Sequence, residues 1–297
     1  MAAKFDWVET FISIEGEANH TGTPTVYVRF TKCNFECRGF NNPEMKEITN
    51  EVLGFDPQKF IHVLDLPPIT IGCDSIYAWD DRFKHMWISG DADKLIDELE
   101  ALLPHGQWIH PKTKQPVIFS LTGGEPTLRA KFIPELLNHP RMADCRHILI
   151  ETNCSVPLTD KFIVALTGWL DGDARRKITW SNSPKLACSG EDPKKAIRPD
   201  IAMKQLDLLK ARPLQAEQYF KFVVDDSDAG FDEIDRVMEQ YWAAGIPQDS
   251  VVHCMPMACI EEQQQAIAGK VADKCIQRGY RYCHRVHNTI YENAIGK

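Results

Sequence analysis

Two cysteines four positions apart, Cys33 and Cys37, follow directly after an apolar run, TVYVRF (residues 25–30). Thiolates at this spacing can bind one metal ion or one iron–sulfur cluster, because the loop between them can wrap around it. The next cysteine, Cys73, comes after a stretch interrupted by prolines. If that stretch leaves and rejoins the surface at one point, Cys73 can lie beside Cys37. Three thiolates would leave one corner of an iron–sulfur cluster without a protein ligand.

Two glycines and an acid follow a second apolar run, in the sequence TGGEPTL (residues 122–128). Glycine lets the backbone approach a ligand closely, and Glu125 can accept a hydrogen bond from an ammonium group. A tight strand-to-helix turn explains the same motif without a ligand. Polar segments also follow three further apolar runs, namely ETNCS, SNSPK and MPM. Because ligands bind at the carboxyl ends of parallel strands, we expect these segments to meet in one site.

Short apolar runs alternate along the chain with amphipathic, helix-like segments. The predicted strands are residues 25–30, 116–122, 147–152, 177–181, 218–224 and 250–255, and the predicted helices include 91–103, 160–170, 201–211 and 231–245. This alternation is typical of parallel βαβ units with helices covering the sheet. The predicted fold class is α/β, an open or incomplete barrel of six βα units.

Two segments, residues 41–72 and 80–115, do not follow that alternation. The first contains four prolines and is expected to fold against the surface, whereas the second combines a helix with polar loops. Both are interpreted as insertions within a single domain that comprises residues 1–297.

The composition favours a protein of the cytoplasm. The net charge of −8 provides no general attraction to nucleic acid or to anionic membranes. The first residues lack the apolar core of a signal peptide, and no apolar run is long enough to span a bilayer. Most of the ten cysteines are therefore expected to be reduced, and the seven outside the Cys33–Cys73 group are interpreted as apolar core residues.

Together these motifs resemble the radical S-adenosylmethionine superfamily, in which a cysteine loop precedes a Gly-Gly-Glu-Pro turn. Within it, the chain resembles the 7-carboxy-7-deazaguanine synthases. The segments SIEGEANHTGTPTVYVRF, CDSIYAW, LTGGEPTL, IETNCS, SNSPKL, YFKFVVDD and RYCHRVHNTIYEN follow that family's order. The chain differs from the family in having 35 residues between Cys37 and Cys73, and Ser75 in place of a threonine.

The resemblance implies a 4Fe-4S cluster held by Cys33, Cys37 and Cys73, whose open iron binds S-adenosyl-L-methionine and cleaves it to a 5′-deoxyadenosyl radical. The implied cofactor-binding residues are Gly72, Cys73, Asp74, Gly124, Glu125, Thr152, Asn153, Ser183, Pro184 and Lys185. No side chain is assigned as catalytic, because the cofactor performs the chemistry.

The resemblance also implies the substrate, 6-carboxy-5,6,7,8-tetrahydropterin, and its conversion to 7-carboxy-7-deazaguanine with loss of ammonia. Ser75 is the implied Mg²⁺ ligand, and the implied substrate contacts are Ile14, Glu15, Gly16, Arg29 and Thr122. Neither His284 nor His287 is assigned to catalysis. An external electron donor, such as flavodoxin or ferredoxin, and a homodimer are expected.

Two other functions fit part of the pattern. Another radical S-adenosylmethionine enzyme, such as a glycyl-radical activating enzyme, would share the cysteine loop and the Gly-Gly-Glu-Pro turn. A zinc-stabilised interaction protein could use the same three cysteines and a histidine. It would leave the other polar segments at the strand ends without a role.

Overall fold

The computed structural model describes residues 4–297, which form one open, mixed sheet of nine strands. The strands are β1 (Phe5–Ile14), β2 (Pro24–Phe30), β3 (Ile88–Gly90), β4 (Ile118–Gly123), β5 (His147–Thr152), β6 (Lys177–Asn182), β7 (Ala216–Val224), β8 (Val252–Pro256) and β9 (Arg281–Tyr282). Their order across the sheet is β3-β1-β2-β4-β5-β6-β7-β8-β9. All neighbours from β2 to β9 are parallel, whereas β1 is antiparallel to both β2 and β3.

The expected α/β class with an open parallel sheet is confirmed, and the six predicted strands correspond to β2 and β4–β8. The helices are α1 (Asn50–Leu53), α2 (Ala92–Leu102), α3 (Ile133–Leu137), α4 (Asp160–Asp171), α5 (Pro193–Ala196), α6 (Pro199–Ala211), α7 (Asp228–Ala244), α8 (Glu261–Arg278) and α9 (Val286–Ile290). None of the helices described is both long and apolar enough to cross a membrane.

The strands have one apolar face and one polar face, because side chains alternate along a strand. In β2, Val26, Val28 and Phe30 belong to the hydrophobic core. The residues between them, Tyr27 and Arg29, line a cleft on the opposite face. The helices therefore cover the apolar face, and the polar face is available for ligands.

The segment of residues 41–72 leaves and rejoins the fold at one point, where the Gly72 N–H donates to the Phe40 carbonyl oxygen at 2.7 Å. It does more than cover the surface. With β1 and the residues that follow Cys73, it forms a second apolar group, here called the outer cluster. Its members are Val8, Ile48, Val63, Leu66, Ile69, Ile76, Tyr77, Ala78, Phe83 and Met86.

Residues 80–115 contribute directly to the main sheet. Strand β3 pairs with β1, and Leu95, Ile96 and Leu99 of α2 are fully buried in the main core. Sequence periodicity identified α2 but not β3, which has only three residues. The division of the chain into one domain with two insertions stays a prediction.

Candidate active site

A single cleft at the carboxyl edge of the parallel strands collects most of the residues predicted from the sequence. The predicted residues that line it are Ile14, Glu15, Gly16, Arg29, Cys33, Cys37, Gly72, Cys73, Asp74, Ser75, Thr122, Gly124, Thr152, Asn153, Ser183 and Lys185. Glu125 and Pro184 are not among the lining residues. Residues that are distant in sequence therefore meet as the strand-end argument predicts.

Hydrogen bonds from backbone N–H groups to side chains hold the cysteine loop that follows β2. The carboxylate of Glu191 accepts from the N–H groups of Glu36 and Cys37 at 2.8 and 2.7 Å. The N–H of Phe35 donates to the Cys33 sulfur at 3.4 Å. Cys37 has a positive φ of 50°, an unusual conformation for a residue other than glycine. These contacts curl the loop so that Cys33 and Cys37 both face the cleft.

Cys73 reaches the same cleft from the far end of the 41–72 segment. The Lys32 N–H, next to Cys33, donates to the Ala78 carbonyl oxygen at 2.7 Å. That bond joins the cysteine loop to the short helical turn that follows Cys73. The 35 intervening residues therefore do not keep Cys73 away from the other two cysteines.

Among the described residues, the three sulfurs do not form a compact single-ion site in the ligand-free protein. Two thiolates on a zinc ion lie at most about 4.6 Å apart, twice the Zn–S bond length. In the described part of the chain, the sulfurs of Cys33, Cys37 and Cys73 do not all fall within 4.8 Å of one another. An iron–sulfur cluster separates its ligands more widely, because each thiolate binds a different iron. The donor set therefore fits a cluster better than a single ion.

Burial holds these thiols in their protonated form while no metal is bound. It raises the pKa of Cys33 to about 12 and also raises the pKa values of Cys37 and Cys73. The nearby Lys185 acts in the opposite direction on all three. Binding a metal group would release the thiol protons, since thiolates are the ligands.

The glycine turn after β4 packs tightly against the cysteine loop. A Cβ on Gly124 would lie 2.1 Å from the Lys32 carbonyl oxygen and 3.0 Å from the Cβ of Cys33. Gly123 has a φ of 133°, which disfavours any side chain. The glycines thus let two backbone segments meet at the edge of the cleft.

Glu125 lies behind the wall of the cleft, and its cofactor-binding role stays a prediction. Its carboxylate is fully buried and accepts from Thr127 N–H at 2.9 Å, Thr127 Oγ1 at 2.5 Å, Thr152 Oγ1 at 2.8 Å and Asn153 N–H at 2.7 Å. Three of these donors meet at Oε1, whereas Oε2 accepts only from the Asn153 N–H and keeps an acceptor position. Glu125 positions Thr152 and Asn153, and those two residues line the cleft.

Three ion pairs connect four charged side chains that line the cleft. Lys221 is buried and contacts Glu17, whose side chain is mostly buried. Arg285 lies 2.9 Å from Asp74 and 3.4 Å from Glu17. Burial alone would raise the pKa of Glu17, but Lys221 and Arg285 lower it to about 2. Glu17 and Asp74 are therefore carboxylates at neutral pH.

The pKa of Glu15 is shifted in the opposite direction from that of Glu17. Burial, together with the negative charges of Glu151 and Glu17, raises the pKa of Glu15 to about 8. Its main side-chain contact is the Tyr27 hydroxyl, which donates at 3.1 Å. Glu15 is therefore mostly neutral at pH 7 in the ligand-free protein. A ligand that presents N–H groups would favour the carboxylate form.

Arg29 is held at the centre of the cleft by several groups. Its Nε donates to Glu9 at 2.7 Å and its Nη1 to the Ser75 hydroxyl at 3.0 Å. The guanidinium also lies over the rings of Phe11 and Tyr77. These contacts use two of its five donors, so the others remain for an anionic ligand.

Sequence reasoning assigned no role to several polar residues of the cleft: Glu17, Glu151, Lys221, Arg285 and His287. Glu151 and Lys221 carried a usable signal, because each interrupts an otherwise apolar strand. Burial of such a charge requires a partner. The lack of a side chain at Gly16 makes room for the His287 ring. A Cβ at residue 16 would lie only 1.9 Å from that ring. The turn that follows β1 is also joined to the C-terminal segment, because the Ala18 N–H donates to the Cys283 sulfur at 3.2 Å.

Comparison with known proteins gives consistent results. No family model matches the chain. The chain is 29% identical to the 7-carboxy-7-deazaguanine synthase of Rhodopirellula baltica, over 97% of this chain and 87% of the relative. It is 26% identical to the enzyme of that name from Halobacterium salinarum, over 96% and 90% of the two chains. It is 24% identical to that from Pyrobaculum aerophilum, over 98% and 96%.

The fold also has a counterpart among solved structures. The crystal structure of QueE from Escherichia coli aligns with a TM-score of 0.53 and 15% identity, covering 96% of this chain and 95% of that one. At 15% identity, this match supports only the fold. The evidence for homology comes from the sequence similarity to the curated relatives. The chain is a homologue of the 7-carboxy-7-deazaguanine synthases over nearly its whole length.

Proposed function

We propose that the protein is a radical S-adenosylmethionine enzyme that converts 6-carboxy-5,6,7,8-tetrahydropterin to 7-carboxy-7-deazaguanine and releases ammonia. The observation that carries the proposal is the convergence of Cys33, Cys37 and Cys73 with Arg29 and Glu15 in one cleft. Full-length similarity to curated enzymes of this name supports the same reaction. A glycyl-radical activating enzyme would not require the Glu15-Gly16-Glu17 opening or the Cys73-Asp74-Ser75 segment.

The three cysteines would hold a 4Fe-4S cluster, and that cluster with S-adenosylmethionine supplies a radical able to abstract a substrate hydrogen. Gly124 would leave room for the methionine end of the cofactor. Asn153 contacts both Cys33 and Asn34, at 3.9 and 2.9 Å, and would keep the cofactor wall next to the cysteine loop. The remaining cofactor wall would be formed by Thr152, Ser183 and Lys185, with Pro184 behind it.

Arg29 and Glu15 would fix the substrate from two sides. The free donors of the Arg29 guanidinium suit the substrate carboxylate, because a fork of N–H groups matches its two oxygens. Glu15 suits the amino and ring N–H edge of a pterin. Ile14, Gly16 and Thr122 would complete the pocket through packing and hydrogen bonds.

Ser75 and Asp74 would form the Mg²⁺ site. The Ser75 hydroxyl lies 3.1 Å from the Asp74 carboxylate, and Arg285 holds the other carboxylate oxygen at 2.9 Å. Oxygen atoms of this kind are the ligands that Mg²⁺ prefers. A bound Mg²⁺ would help to hold the substrate carboxylate. We further propose that the enzyme acts as a cytoplasmic homodimer and takes electrons from a flavodoxin or a ferredoxin.

Anaerobic assay of the reconstituted, reduced protein tests the proposal. With S-adenosylmethionine, Mg²⁺ and the tetrahydropterin, both 5′-deoxyadenosine and 7-carboxy-7-deazaguanine should form. Ser75→Ala should weaken the dependence of turnover on Mg²⁺ while the cluster is retained. Deoxyadenosine without deazaguanine would refute the substrate, and neither product from a fully loaded protein would refute the reaction class.

A further inference from the structure

A second group of polar side chains lies on the inner face of the sheet, near the amino ends of the strands. His147 is the first residue of β5, Thr179 lies in β6 and Glu217 lies in β7. Thr179 pairs directly with Glu217 across the strands. His20, from the turn after β1, reaches over all three. We call His20, His147 and Glu217, with Thr179 between them, the strand-start cluster.

The strand-start cluster is separate from the cleft. Glu217 precedes Lys221 on β7 by four residues, and His147 precedes Glu151 on β5 by the same number. Four residues of a strand span about 13 Å. Lys221 and Glu151 line the cleft, whereas none of the four cluster residues does. The cluster is therefore not part of the proposed substrate or cofactor site.

The four side chains converge on one point. The Thr179 hydroxyl donates to Glu217 Oε1 at 2.8 Å, and it lies 2.9 Å from His147 Nε2 and 3.2 Å from His20 Nε2. His20 Nε2 also contacts Glu217 Oε1 directly. One ligand atom from each of the three ionisable side chains lies within 4.8 Å of the others. Within residues 4–297, no other group of three His, Cys, Asp or Glu side chains meets that spacing.

We propose that His20, His147 and Glu217 bind a divalent transition-metal ion, for which zinc is the best match. Two imidazoles and one carboxylate are a known zinc ligand set, with a fourth position left for water. The partly exposed side chains of His20 and Glu217 leave that position open to solvent. Mg²⁺ fits poorly, because it prefers an all-oxygen shell.

The environment of each ligand suits metal binding. Burial and the neighbouring His20 lower the pKa of His147 to about 3, so its imidazole stays neutral. Neutral imidazole is the form that binds metal. The fully buried Thr179 donates to Glu217 and would orient that carboxylate, while its contacts to the two ring nitrogens would be replaced by bonds to the metal. Small movements of His20 would open the space for an ion, because it lies on a turn of three residues.

A metal at this point would have a structural role. His20 is three residues after Glu17 and five after Glu15, and both acids line the cleft. Fixing His20 to β5 and β7 would anchor the chain segment that carries them. The metal would thus stabilise one wall of the cleft without touching a substrate. This inference rests on the cluster alone and holds whether or not the proposed reaction is correct.

Zinc binding to the full-length protein tests the inference. The anaerobically reconstituted protein is incubated with zinc, passed through a desalting column and analysed for metal. One zinc per chain is expected in addition to iron. X-ray absorption at the zinc edge should show only nitrogen and oxygen ligands, at about 2.0–2.2 Å. Sulfur ligands would place the zinc on the cysteines and overturn the proposal, as would failure to retain zinc.

Variants identify the ligands. His20→Ala, on a surface turn, should lose the bound zinc and lose the rise in melting temperature that zinc gives. Thr179→Ala should lower zinc affinity by about 10- to 100-fold, the usual cost of removing an orienting partner. His139→Ala is the matched control, because it removes a histidine that contacts an acid, Asp93, outside the cluster. Equal zinc binding by His20→Ala and His139→Ala would refute the assignment.

Discussion

The N–H of Gly72 donates to the carbonyl oxygen of Phe40 at 2.7 Å, so the long segment between Cys37 and Cys73 begins and ends at one point. Cys37 and Cys73 therefore line the same cleft, although 35 residues separate them in the sequence. The closure entropy of a loop grows slowly with its length, by about 0.6 kcal/mol for each doubling. The length of the segment is therefore no obstacle to a three-cysteine site.

Shortening this segment should leave cluster binding intact but lower stability. A variant in which a short linker replaces residues 45–67 keeps Phe40 and Gly72 and should bind the same amount of iron. Its melting temperature should fall, because Ile76 and Phe83 lose partners in the outer cluster. Iron content and thermal unfolding measure the two effects separately. A folded variant without iron would show that the segment supports the cysteines directly.

Single Cys→Ala variants should separate the cluster ligands from the core cysteines. We expect Cys33→Ala, Cys37→Ala and Cys73→Ala each to lose most reconstituted iron and the broad absorbance of the cluster. Cys145→Ala and Cys154→Ala are the controls, since both thiols are fully buried and absent from the cleft lining. A full cluster in Cys73→Ala, together with its loss in a control, would disprove the ligand assignment.

Arg29 should affect turnover and stability through different partners. Arg29→Ala removes a charge-assisted contact worth about 1.5–3 kcal/mol, which corresponds to one to two powers of ten in turnover. It also leaves Glu9 buried without its cation, which typically costs about 3–5 kcal/mol of stability.

A double variant distinguishes these two effects. Arg29→Ala with Glu9→Gln should recover much of the stability but none of the turnover, while iron content and slow cofactor cleavage persist. Thermal unfolding and product chromatography are the measurements. Recovery of turnover in the double variant would mean that Arg29 serves only to neutralise Glu9.

Glu15 should make stability fall as the pH rises. Its pKa is about 8 in the folded protein against an ordinary value of 4.5, so the folded state holds the extra proton between these two pH values. Below pH 4.5 both states are protonated and Glu15 has no effect. Above pH 8 the buried carboxylate costs on the order of 3–5 kcal/mol.

The matching measurement is the unfolding free energy of Glu15→Gln relative to the wild type. The variant should gain in relative stability from pH 4.5 to pH 8, and the exposed Glu44→Gln should show no such trend. A constant difference across this range would contradict the raised pKa. Substrate binding near pH 7 should also release a proton from Glu15, which calorimetry in two buffers can detect.

The parallel strands could be predicted because they are short, continuous apolar runs, such as residues 147–152 and 218–224. Strand β1 was not predicted; it is antiparallel to both neighbours, and its pairing with β3 joins residues remote in sequence. Its alternation of apolar residues with Glu9 and Ser13 is also shared by exposed strands. Strands β3 and β9 are too short for a periodic pattern.

The site was predictable where residue type and strand-end position agree, as for Cys33 and Gly124. The position of a side chain was not predictable where it depends on a hydrogen-bond or charge partner that is distant in the sequence. Glu125 lies in the predicted motif, yet its bonds within the protein are to Thr127, Thr152 and Asn153, and it does not line the cleft. Arg285 and Lys221 enter the cleft because Glu17 requires counter-charges, and sequence periodicity carries no information about such pairing.

The contacts that join the opening segment to the rest of the cleft also determine when the cleft can form during protein synthesis. Glu17 is separated from Lys221 by 204 positions, and Ala18 from Cys283 by 265. At a translation rate of about 5–20 residues per second, Ala18 waits roughly 10–50 s for its partner. The cysteine loop emerges early, but Glu17 lacks Lys221 until 204 further residues have been synthesised. Assembly of the complete cleft therefore waits until Cys283 has been synthesised.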